Sequence, residues 1–500
     1  MKLLNRFSMY RLVLYYLAGI FLIAFLLSVF KVISYNPGFL ILSLAVLTIS
    51  GYLFNLMFSY LFDAPINPES NLITSLILVL IITPVYSNVY SIGFLIMASL
   101  IAQASKYLLT YHDKHIFNPA ALAVLVLDLS ARQTASWWVG SLYLAPFVFV
   151  GGLIIIRKIS DFKMVASFIF VNFILTAIIG LFNHDLVLSL KDTILISPLL
   201  FLGFVMLTEP LTSPRKQNQQ LVYAIIVAIL LLPQVHLFNL YTTPEFALIV
   251  ANLYAFWVNT KDKLFLYLQK IIKLSPDQFE LIFNRPSNFN FIPGQYMEWT
   301  LAHDNFDQKG IRRYFTISSS PTEDKLTIAL KNSDSSYKKA LLNLKEPLLI
   351  ASSLGGDFVL PENTNQKLVF VAGGIGITPF RSMIKYLVDS KQSRDIYLLY
   401  FCSNYEDFVY KDFFDQASKV INLKVWYICS SSRKPTIKFN NSLIINQRLS
   451  VDLVQDLVSD YHQRLFLLAG SDSIVKSSKQ ILRKLGLRFS QIKTDHFSGY

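Results

Sequence analysis

Two short segments of this 500-residue chain carry side chains that could hold and reduce a cofactor. In residues 313–319, Arg313 stands two positions before Phe315 on an extended stretch. A guanidinium there can pair with a pyrophosphate while the aromatic ring lies along a flavin. Thr316 adds a hydroxyl for the edge of that flavin. The structural alternative is an ordinary amphipathic strand with Arg and Thr on one side.

The second segment, residues 373–379, contains three glycines followed by Thr378 and Pro379. Glycines that follow a strand let backbone N–H groups approach a phosphate at the start of a helix. Such a turn is a weak signal by itself. It gains weight here because it follows the arginine segment at a fitting distance, and together the two segments indicate a module that reduces a flavin.

Strands and helices of the second half must position both segments. After about Leu264, alternating apolar runs bounded by Pro, Asn and Asp have the spacing of a small antiparallel barrel. After about Gln366, strands alternate with helices, which predicts a parallel nucleotide-binding sheet. The predicted strands of that sheet are 368–372, 395–401, 423–428 and 465–468, and the helix after the glycine turn is 379–388.

Further motifs follow one another in the order of a known family. They are Pro293-Gly294-Gln295-Tyr296, Gly355-Gly356-Asp357-Phe358, Ala469-Gly470-Ser471 and the aromatic stretch 497–500. With residues 313–319 and 373–379, this set resembles the ferredoxin-NADP reductase family over about residues 264–500. The resemblance implies that the barrel binds FAD, that the following domain binds NAD(P)H, and that hydride passes from nicotinamide to flavin N5.

The resemblance also indicates which residues form the site. Thr316 and Thr378 are the predicted catalytic residues, and no metal ligand is predicted. The predicted cofactor-binding residues are Arg313, Phe315, Thr316, Ile317, Ser319, Gly355, Gly356, Gly373, Gly374, Gly376, Thr378, Pro379 and Gly470.

Two departures from the family pattern bear on the nucleotide. Ala469 stands where the family often has a thiol or hydroxyl near the nicotinamide. Ser432 and Arg433 suit a 2'-phosphate, whereas Glu406 and Asp407 do not. The choice between NADH and NADPH therefore stays open.

The composition excludes several other functions. Cys402 and Cys429 are the only cysteines, so four thiolates for an iron-sulfur cluster are absent from this chain and a disulfide framework is excluded. The net charge of +13 comes without a basic stripe interleaved with aromatics, so no nucleic acid is expected. The histidines of the first half lack the spacing of paired haem ligands; they are His112, His115, His184 and His236.

The first half has the composition of a membrane domain. Hydrophobic residues make up 53% of the chain and charged residues 15%, and the charges are sparse before about Trp257. Ten crossings place twelve Lys and Arg in one set of loops and three in the other, which puts the second half in the cytoplasm of a cell membrane protein. The predicted apolar runs are 12–33, 38–62, 70–85, 89–106, 119–129, 136–156, 163–183, 194–208, 219–235 and 244–259. The predicted domains are a multi-pass membrane domain (1–262), an FAD-binding β-barrel (263–365) and an NAD(P)-binding α/β domain (366–500).

Two of these runs are interrupted, at Asn118-Pro119-Ala120 and at residues 208–212. Broken backbone at membrane depth is tolerated where it lines a cavity, although both segments also suit helix caps at the surface. They resemble motifs of two homologous membrane proteins, one from the Rnf complex and one from the sodium-translocating NADH:quinone reductase, over about residues 40–260. The chain contains no Gly-Ala dipeptide, so the covalent FMN motif of that family is absent, and a non-covalent FMN or riboflavin is the remaining expectation.

These features predict a membrane-bound flavoprotein oxidoreductase in which electrons pass from NADH or NADPH through FAD. The expected acceptor is a quinone, a flavin in the membrane domain or another redox protein. One alternative couples the same electron flow to cation movement, with Glu209, Asp128 and Asp63 as the few ionisable groups of the spans. Another makes the first half a flavin-binding or flavin-transporting protein with an attached reductase.

Overall fold

The chain forms two compact units, Met1–Lys261 and Asp262–Tyr500. The computed structural model describes residues 9–62, 68–84, 88–111, 114–131, 135–159, 161–195, 198–232, 234–237, 240–259, 263–303, 307, 310–344, 348–431 and 443–496. The predicted Ser432 and Arg433 pair, the aromatic stretch 497–500, His112 and Asp63 lie outside these residues.

The described part of the first unit is helical apart from two short hairpins. Its helices are α1 (Met9–Val29), α2 (Pro37–Leu61), α3 (Pro68–Ile81), α4 (Val89–Leu108), α5 (Pro119–Ala131), α6 (Ala145–Ile159), α7 (Phe162–Phe182), α8 (Leu186–Leu195), α9 (Leu199–Phe201), α10 (Gln217–Leu230) and α11 (Pro244–Val258). A π-helical turn, Leu202–Met206, continues α9. The hairpins pair β1 (Thr110–Tyr111) with β2 (Lys114–His115) and β3 (His236–Leu237) with β4 (Leu240–Tyr241).

Four of these helices are long and apolar enough to cross a membrane by length and composition, namely α1, α2, α4 and α7. Five shorter apolar helices, of 10–17 residues, accompany them in the described residues. Length and composition alone do not show that a helix crosses a membrane. The ten crossings therefore stay a prediction.

Two apolar runs are not continuous helices. Near the start of the run 136–156, Trp137 has a φ of 47° and donates its backbone N–H to the carbonyl of Ile81. Trp138 ties the same stretch to α3 through hydrogen bonds from its indole to the carbonyls of Val79 and Ile82. In the run 194–208, α8 ends at Leu195 and α9 starts after Pro198, because proline cannot continue a helix from the preceding turn.

The second unit begins with an antiparallel six-stranded sheet in the order β8-β7-β10-β5-β6-β9. Its strands are β5 (Lys263–Lys273), β6 (Gln278–Asn284), β7 (Tyr296–Thr300), β8 (Arg312–Thr316), β9 (Lys325–Lys331) and β10 (Leu348–Gly355), and the helix α12 (Ser336–Leu342) follows β9. The edge strands approach each other through a single bridge, Ile317 to Ile328. The antiparallel sheet is confirmed, but among the described residues it is an open sheet and not the closed barrel that was predicted.

A parallel sheet follows, in the order β14-β13-β12-β11-β15-β16. Its elements are β11 (Leu368–Gly373), α13 (Thr378–Asp389), β12 (Ile396–Cys402), α14 (Lys411–Ala417), β13 (Leu423–Cys429), β14 (Leu443–Asn446), α15 (Val451–Leu457), β15 (Leu465–Gly470), α16 (Asp472–Lys484) and β16 (Ile492–His496). Strand order reverses at β11, which lies between β12 and β15. Ligands of such sheets bind where the order reverses, at the carboxyl ends of the strands.

Candidate active site

Strand β8 presents different residues to the two faces of the antiparallel sheet. Phe315 is 6% exposed and packs in the hydrophobic core, with its ring centroid 6.1 Å from that of Tyr337. Arg313 lies on the same face; its Nη2 is 2.7 Å from Oδ1 of Asp307, and its guanidinium is 5.1 Å from the Tyr337 ring. The described structure thus places the Phe315 ring inward, away from the outer face of the sheet. Its contact with a flavin stays a prediction.

The opposite face of β8 carries a second arginine and aromatic pair. Tyr314 is 53% exposed and donates a hydrogen bond of 2.6 Å to Glu298. Its ring is edge-on to Tyr296, with centroids 5.6 Å apart. Arg312 lies 3.7 Å from Glu298 on this face. Strand alternation from the buried Phe315 is the signal that would have indicated this pair, and our sequence reasoning missed it.

Three predicted flavin segments meet on this outer face. In the strand register Tyr296 pairs with Thr316 of β8 on one side and with Gly355 of β10 on the other. The hydroxyl of Thr316 has no hydrogen-bond partner among the described residues. Gly356, next in the chain, has a φ of 108°, and a Cβ there would lie 3.1 Å from the Tyr296 ring. The row joins a hydroxyl, an aromatic ring and glycine backbone, and these are groups that suit a flavin and its phosphates.

Residues just beyond Thr316 support the strand end. Ile317 is fully buried, and its backbone N–H donates to the carbonyl of Gln295 at 3.0 Å. The Ser319 hydroxyl accepts a hydrogen bond of 3.0 Å from the backbone N–H of Thr327. These two predicted cofactor-binding residues thus hold the strand end in place within the described structure.

The glycine turn after β11 packs directly against the turn after β15. A Cβ at Gly376 would lie 2.3 Å from the carbonyl oxygen of Ala469, and one at Gly373 would lie 2.6 Å from the Ile474 side chain. A Cβ at Gly470 would lie 3.2 Å from the Cα of Gly373. Glycine is needed at Gly376 because any side chain would separate the two turns.

Gly374 has a different role from its neighbours. Its φ is 55°, and no atom lies within 4 Å of a Cβ built on it. The left-handed conformation exposes the backbone of the turn to open space at the reversal point of the sheet. A glycine that faces open space at this point suits the phosphates of a dinucleotide.

The helix α13 starts immediately after this turn. Thr378 is 2% exposed, and its hydroxyl donates a hydrogen bond of 3.2 Å to the carbonyl of Ile375. Pro379 occupies the first turn of the helix, where its missing N–H costs no hydrogen bond. The Thr378 hydroxyl is thus engaged with the turn that precedes the helix. Its catalytic role stays a prediction.

Asp495 is an ionisable residue at this site that sequence reasoning missed. It pairs in register with Ala469 on the neighbouring strand, next to the glycine turn. Its Oδ2 is buried without a hydrogen-bond partner among the described residues, and burial raises the pKa of Asp495 to about 7. A buried carboxyl with a free oxygen beside a nucleotide turn is a candidate for contact with the cofactor.

In the helical unit, the two interrupted segments lie side by side. Asn118 donates a hydrogen bond of 2.8 Å to Glu209, and Thr212 donates one of 3.2 Å to the same oxygen. His115 lies 3.0 Å from the other oxygen of Glu209, so it belongs to this cluster and is largely shielded from solvent. Asn252 joins it by accepting from the backbone N–H of Asn118 at 2.9 Å. Among the described residues no group of His, Cys, Asp and Glu is arranged to hold a metal ion.

An antiparallel sheet followed by a parallel sheet with a glycine turn at its reversal point defines a nucleotide-binding reductase module. The model of the oxidoreductase NAD-binding domain family matches residues 370–480. The second half of the chain is thus similar to oxidoreductase modules of the ferredoxin-NADP reductase type.

Three curated relatives each match part of the chain. The glycine betaine monooxygenase reductase subunit of Chromohalobacter salexigens is 23% identical over 223 residues, which cover 43% of this chain and 58% of that protein. The flavohemoprotein of Bacillus subtilis is 27% identical over 202 residues, or 39% of this chain and 49% of that protein. The flavodoxin/ferredoxin--NADP reductase of Buchnera aphidicola is 25% identical over 233 residues, or 45% and 90%. The chain spans about half the length of the first two relatives.

Proposed function

We propose that this protein is a membrane-bound flavoprotein oxidoreductase that passes electrons from NAD(P)H through FAD to a membrane flavin, a quinone or another redox acceptor. One observation carries the proposal: two cofactor segments lie in one compact unit and are joined by hydrogen bonds. The Ser382 hydroxyl of α13 donates to the carbonyl of Ser319 at 2.6 Å. This bond connects the helix after the glycine turn with the strand end that carries Thr316.

The residues present suit both cofactors. The outer row of Thr316, Tyr296 and Gly355 offers a hydroxyl, a ring and glycine backbone for FAD. Gly374 and Asp495 offer open backbone and a free carboxyl oxygen for NAD(P)H. Bound FAD would supply an acceptor for the hydride of reduced nicotinamide and would release the two electrons singly or as a pair.

The membrane part of the proposal is supported by composition and by four long apolar helices. Lys and Arg are concentrated in alternate loops, which favours a multi-pass protein of the cell membrane with the reductase unit in the cytoplasm. NADH and NADPH are available in that compartment. A non-covalent flavin in the helical unit would give electrons a route into the bilayer, as the resemblance to the Rnf and quinone-reductase membrane proteins implies.

The contacts of Glu209 do not favour redox-driven cation movement as a second function. Both oxygens of its carboxylate already contact nitrogen or hydroxyl groups, from His115 on one side and from Asn118 and Thr212 on the other. A satisfied carboxylate of this kind stabilises the two interrupted segments and offers little to a cation.

The proposal is tested in inverted membrane vesicles that contain the full chain. NADH and NADPH are each added with a soluble quinone analogue, and quinone reduction is compared with that of ferricyanide. We expect both acceptors to be reduced, with the quinone rate lost when the vesicles are dissolved in detergent and the ferricyanide rate retained. Reduction of ferricyanide alone in intact vesicles would limit the function to the reductase unit.

A further inference from the structure

A charged cluster joins the two sheets of the reductase unit. We call it the clamp, and it consists of Glu280, Glu323, Arg381 and Tyr410. Arg381 of α13 contacts both carboxylate oxygens of Glu323, one of them at 2.9 Å. The same guanidinium donates to the backbone carbonyl of Ser318 at 3.1 Å. Arg381 and Glu323 are 14% and 22% exposed at their side chains, so the pair is largely withdrawn from solvent.

Aromatic rings and a second carboxylate complete the clamp. The Arg381 guanidinium lies 5.7 Å from the Tyr410 ring centroid and 5.5 Å from that of Phe413. The Tyr410 hydroxyl donates to Glu280 of β6 at 2.7 Å, and Glu280 is 9% exposed. Elements from both sheets therefore contribute to one buried polar cluster.

Two features of the clamp point to a role beyond stability. Tyr410 has a φ of 59°, a conformation that is strained for a bulky residue and that persists only where the surroundings enforce it. The Nε of Arg381 is buried without a hydrogen-bond partner among the described residues. Buried ion pairs of this kind add little net stability compared with apolar packing, and fixing a geometry is one reason to retain them.

The clamp contacts the chain close to both predicted catalytic residues. Ser318 lies two residues after Thr316, and Arg381 lies three residues after Thr378. A change in the Arg381 contacts would thus shift the start of α13 relative to the end of β8. These are the two places where nicotinamide and flavin would be held under the proposed function.

We propose that Arg381 is a positioning residue: with Glu323 it fixes the separation between the flavin strand and the nicotinamide turn, and so the distance over which hydride passes. The inference rests on the proposed function and adds a residue to its site. Arg381 touches neither reacting atom and acts through Ser318 and α13.

The test uses the full chain, loaded with FAD, in four forms: wild type, Arg381→Lys, Arg381→Gln and Glu323→Gln. The rate of FAD reduction at saturating NAD(P)H is measured anaerobically by rapid mixing. Because misplacement by about 1 Å can lower a rate by about 100-fold, we expect a loss of about 10-fold for Arg381→Lys and about 100-fold for Arg381→Gln. FAD content and nucleotide affinity should stay within about 3-fold of wild type, since Arg381 and Tyr410 hydrogen-bond to Glu323, Ser318 and Glu280 rather than to the outer row or the glycine turn.

A second readout needs no turnover. A non-reactive tetrahydro-nicotinamide dinucleotide is added, and the long-wavelength charge-transfer absorbance that reports stacking of nicotinamide on flavin is recorded. We expect this absorbance to fall in Arg381→Gln and Glu323→Gln at saturating analogue. A merely structural role would leave it unchanged in the folded, FAD-loaded fraction.

Arg464→Lys is the matched control. Arg464 is also a buried arginine with two contacts to a carboxylate, Asp395, at 2.9 and 3.0 Å. Its other hydrogen bonds to described residues go to Asp460 and to backbone of the parallel sheet, and none reaches the antiparallel sheet. We expect lower thermal stability with wild-type reduction rate and charge-transfer absorbance.

The inference is overturned if Arg381→Lys and Glu323→Gln match wild type in both readouts. These milder variants decide the matter should Arg381→Gln fail to fold. Absence of FAD reduction in the wild-type chain with either nucleotide would instead contradict the proposed function, and the inference would fall with it. The rate of FAD reduction in the wild-type chain alone distinguishes the two failures.

Discussion

Replacing Asp495 with asparagine should change how the stability of the reductase unit depends on pH. Burial raises the pKa of Asp495 from 3.8 to about 7, and its Oδ2 is buried without a partner among the described residues. Below about pH 4 the carboxyl is protonated in the folded and unfolded chain. As the pH rises from about 4 to about 7, the unfolded chain releases this proton and the folded chain retains it, so the wild type loses stability.

The size of this loss follows from the shift in pKa. At 1.36 kcal/mol for each pKa unit, about three units correspond to about 4 kcal/mol, and partial exposure of the side chain lowers this toward about 2 kcal/mol. Asp495→Asn removes the ionisation. The free energy of unfolding of the variant relative to wild type should therefore rise by roughly 2–4 kcal/mol between pH 4 and pH 8.

The assay is thermal unfolding of the full chain in detergent, with the transition of the reductase unit followed at several pH values. A unit of this size gains roughly 2–4 °C in Tm for each kcal/mol, so the Tm difference between variant and wild type should grow by several degrees from pH 4 to pH 8. Glu362→Gln, at an exposed position, is the control. Parallel curves for Asp495→Asn and wild type would refute the burial argument.

Three further predictions concern other contacts. Gly376→Ala would place a Cβ 2.3 Å from the Ala469 carbonyl oxygen and separate the two turns. NAD(P)H should then bind about 10-fold more weakly in equilibrium titrations while FAD is retained. Unchanged affinity would contradict the close contact. Thr316→Val removes a hydroxyl that has no partner among the described residues. Loss of a hydrogen bond worth about 1 kcal/mol should weaken FAD retention about 5-fold, as measured by dialysis. Full retention would remove Thr316 from the flavin site. Glu209→Gln should destabilise the helical unit by about 1–3 kcal/mol, because the hydrogen bonds that Asn118 and Thr212 donate to a charged carboxylate become weaker neutral ones. The ferricyanide rate of the reductase unit should be unchanged; a lower rate with an intact helical transition would show a different role for Glu209.

The parallel sheet could largely be predicted from the sequence because its central strands are continuous apolar runs. The strand predicted at 368–372 is β11, and the predicted helix 379–388 lies within α13. The edge strand β16 was missed because Ile492–His496 is mostly polar. An edge strand has only one neighbour to pack against, and it needs no apolar run.

Side-chain direction was harder to predict than strand position. Arg313 and Phe315 were recognised by spacing, but spacing alone does not say which face of β8 is buried. The register with Met297 and Trp299 turns both residues inward, and leaves Arg312 and Tyr314 outside. Because side chains alternate across a strand, one buried residue determines the direction of all its neighbours.

Long-range contacts gave the largest differences from the sequence analysis. Asp495 carries no motif, and its buried position depends on pairing with Ala469. Asn118 and Glu209 are 91 residues apart, and the sequence could not show that they share a hydrogen bond. Arg381 looks like an ordinary helix residue until Glu323 and Ser318 are placed beside it.

Transfer of reducing equivalents from NAD(P)H to FAD within the second unit is the step on which the proposed function depends most. The direct measurement is an anaerobic titration of the purified full chain, loaded with FAD, with NADH and separately with NADPH, while the visible flavin absorbance is recorded. We predict that at least one nucleotide bleaches the flavin with one equivalent of nucleotide consumed for each FAD. Failure of the chain to retain FAD, or a flavin that stays oxidised with both nucleotides, would contradict the account.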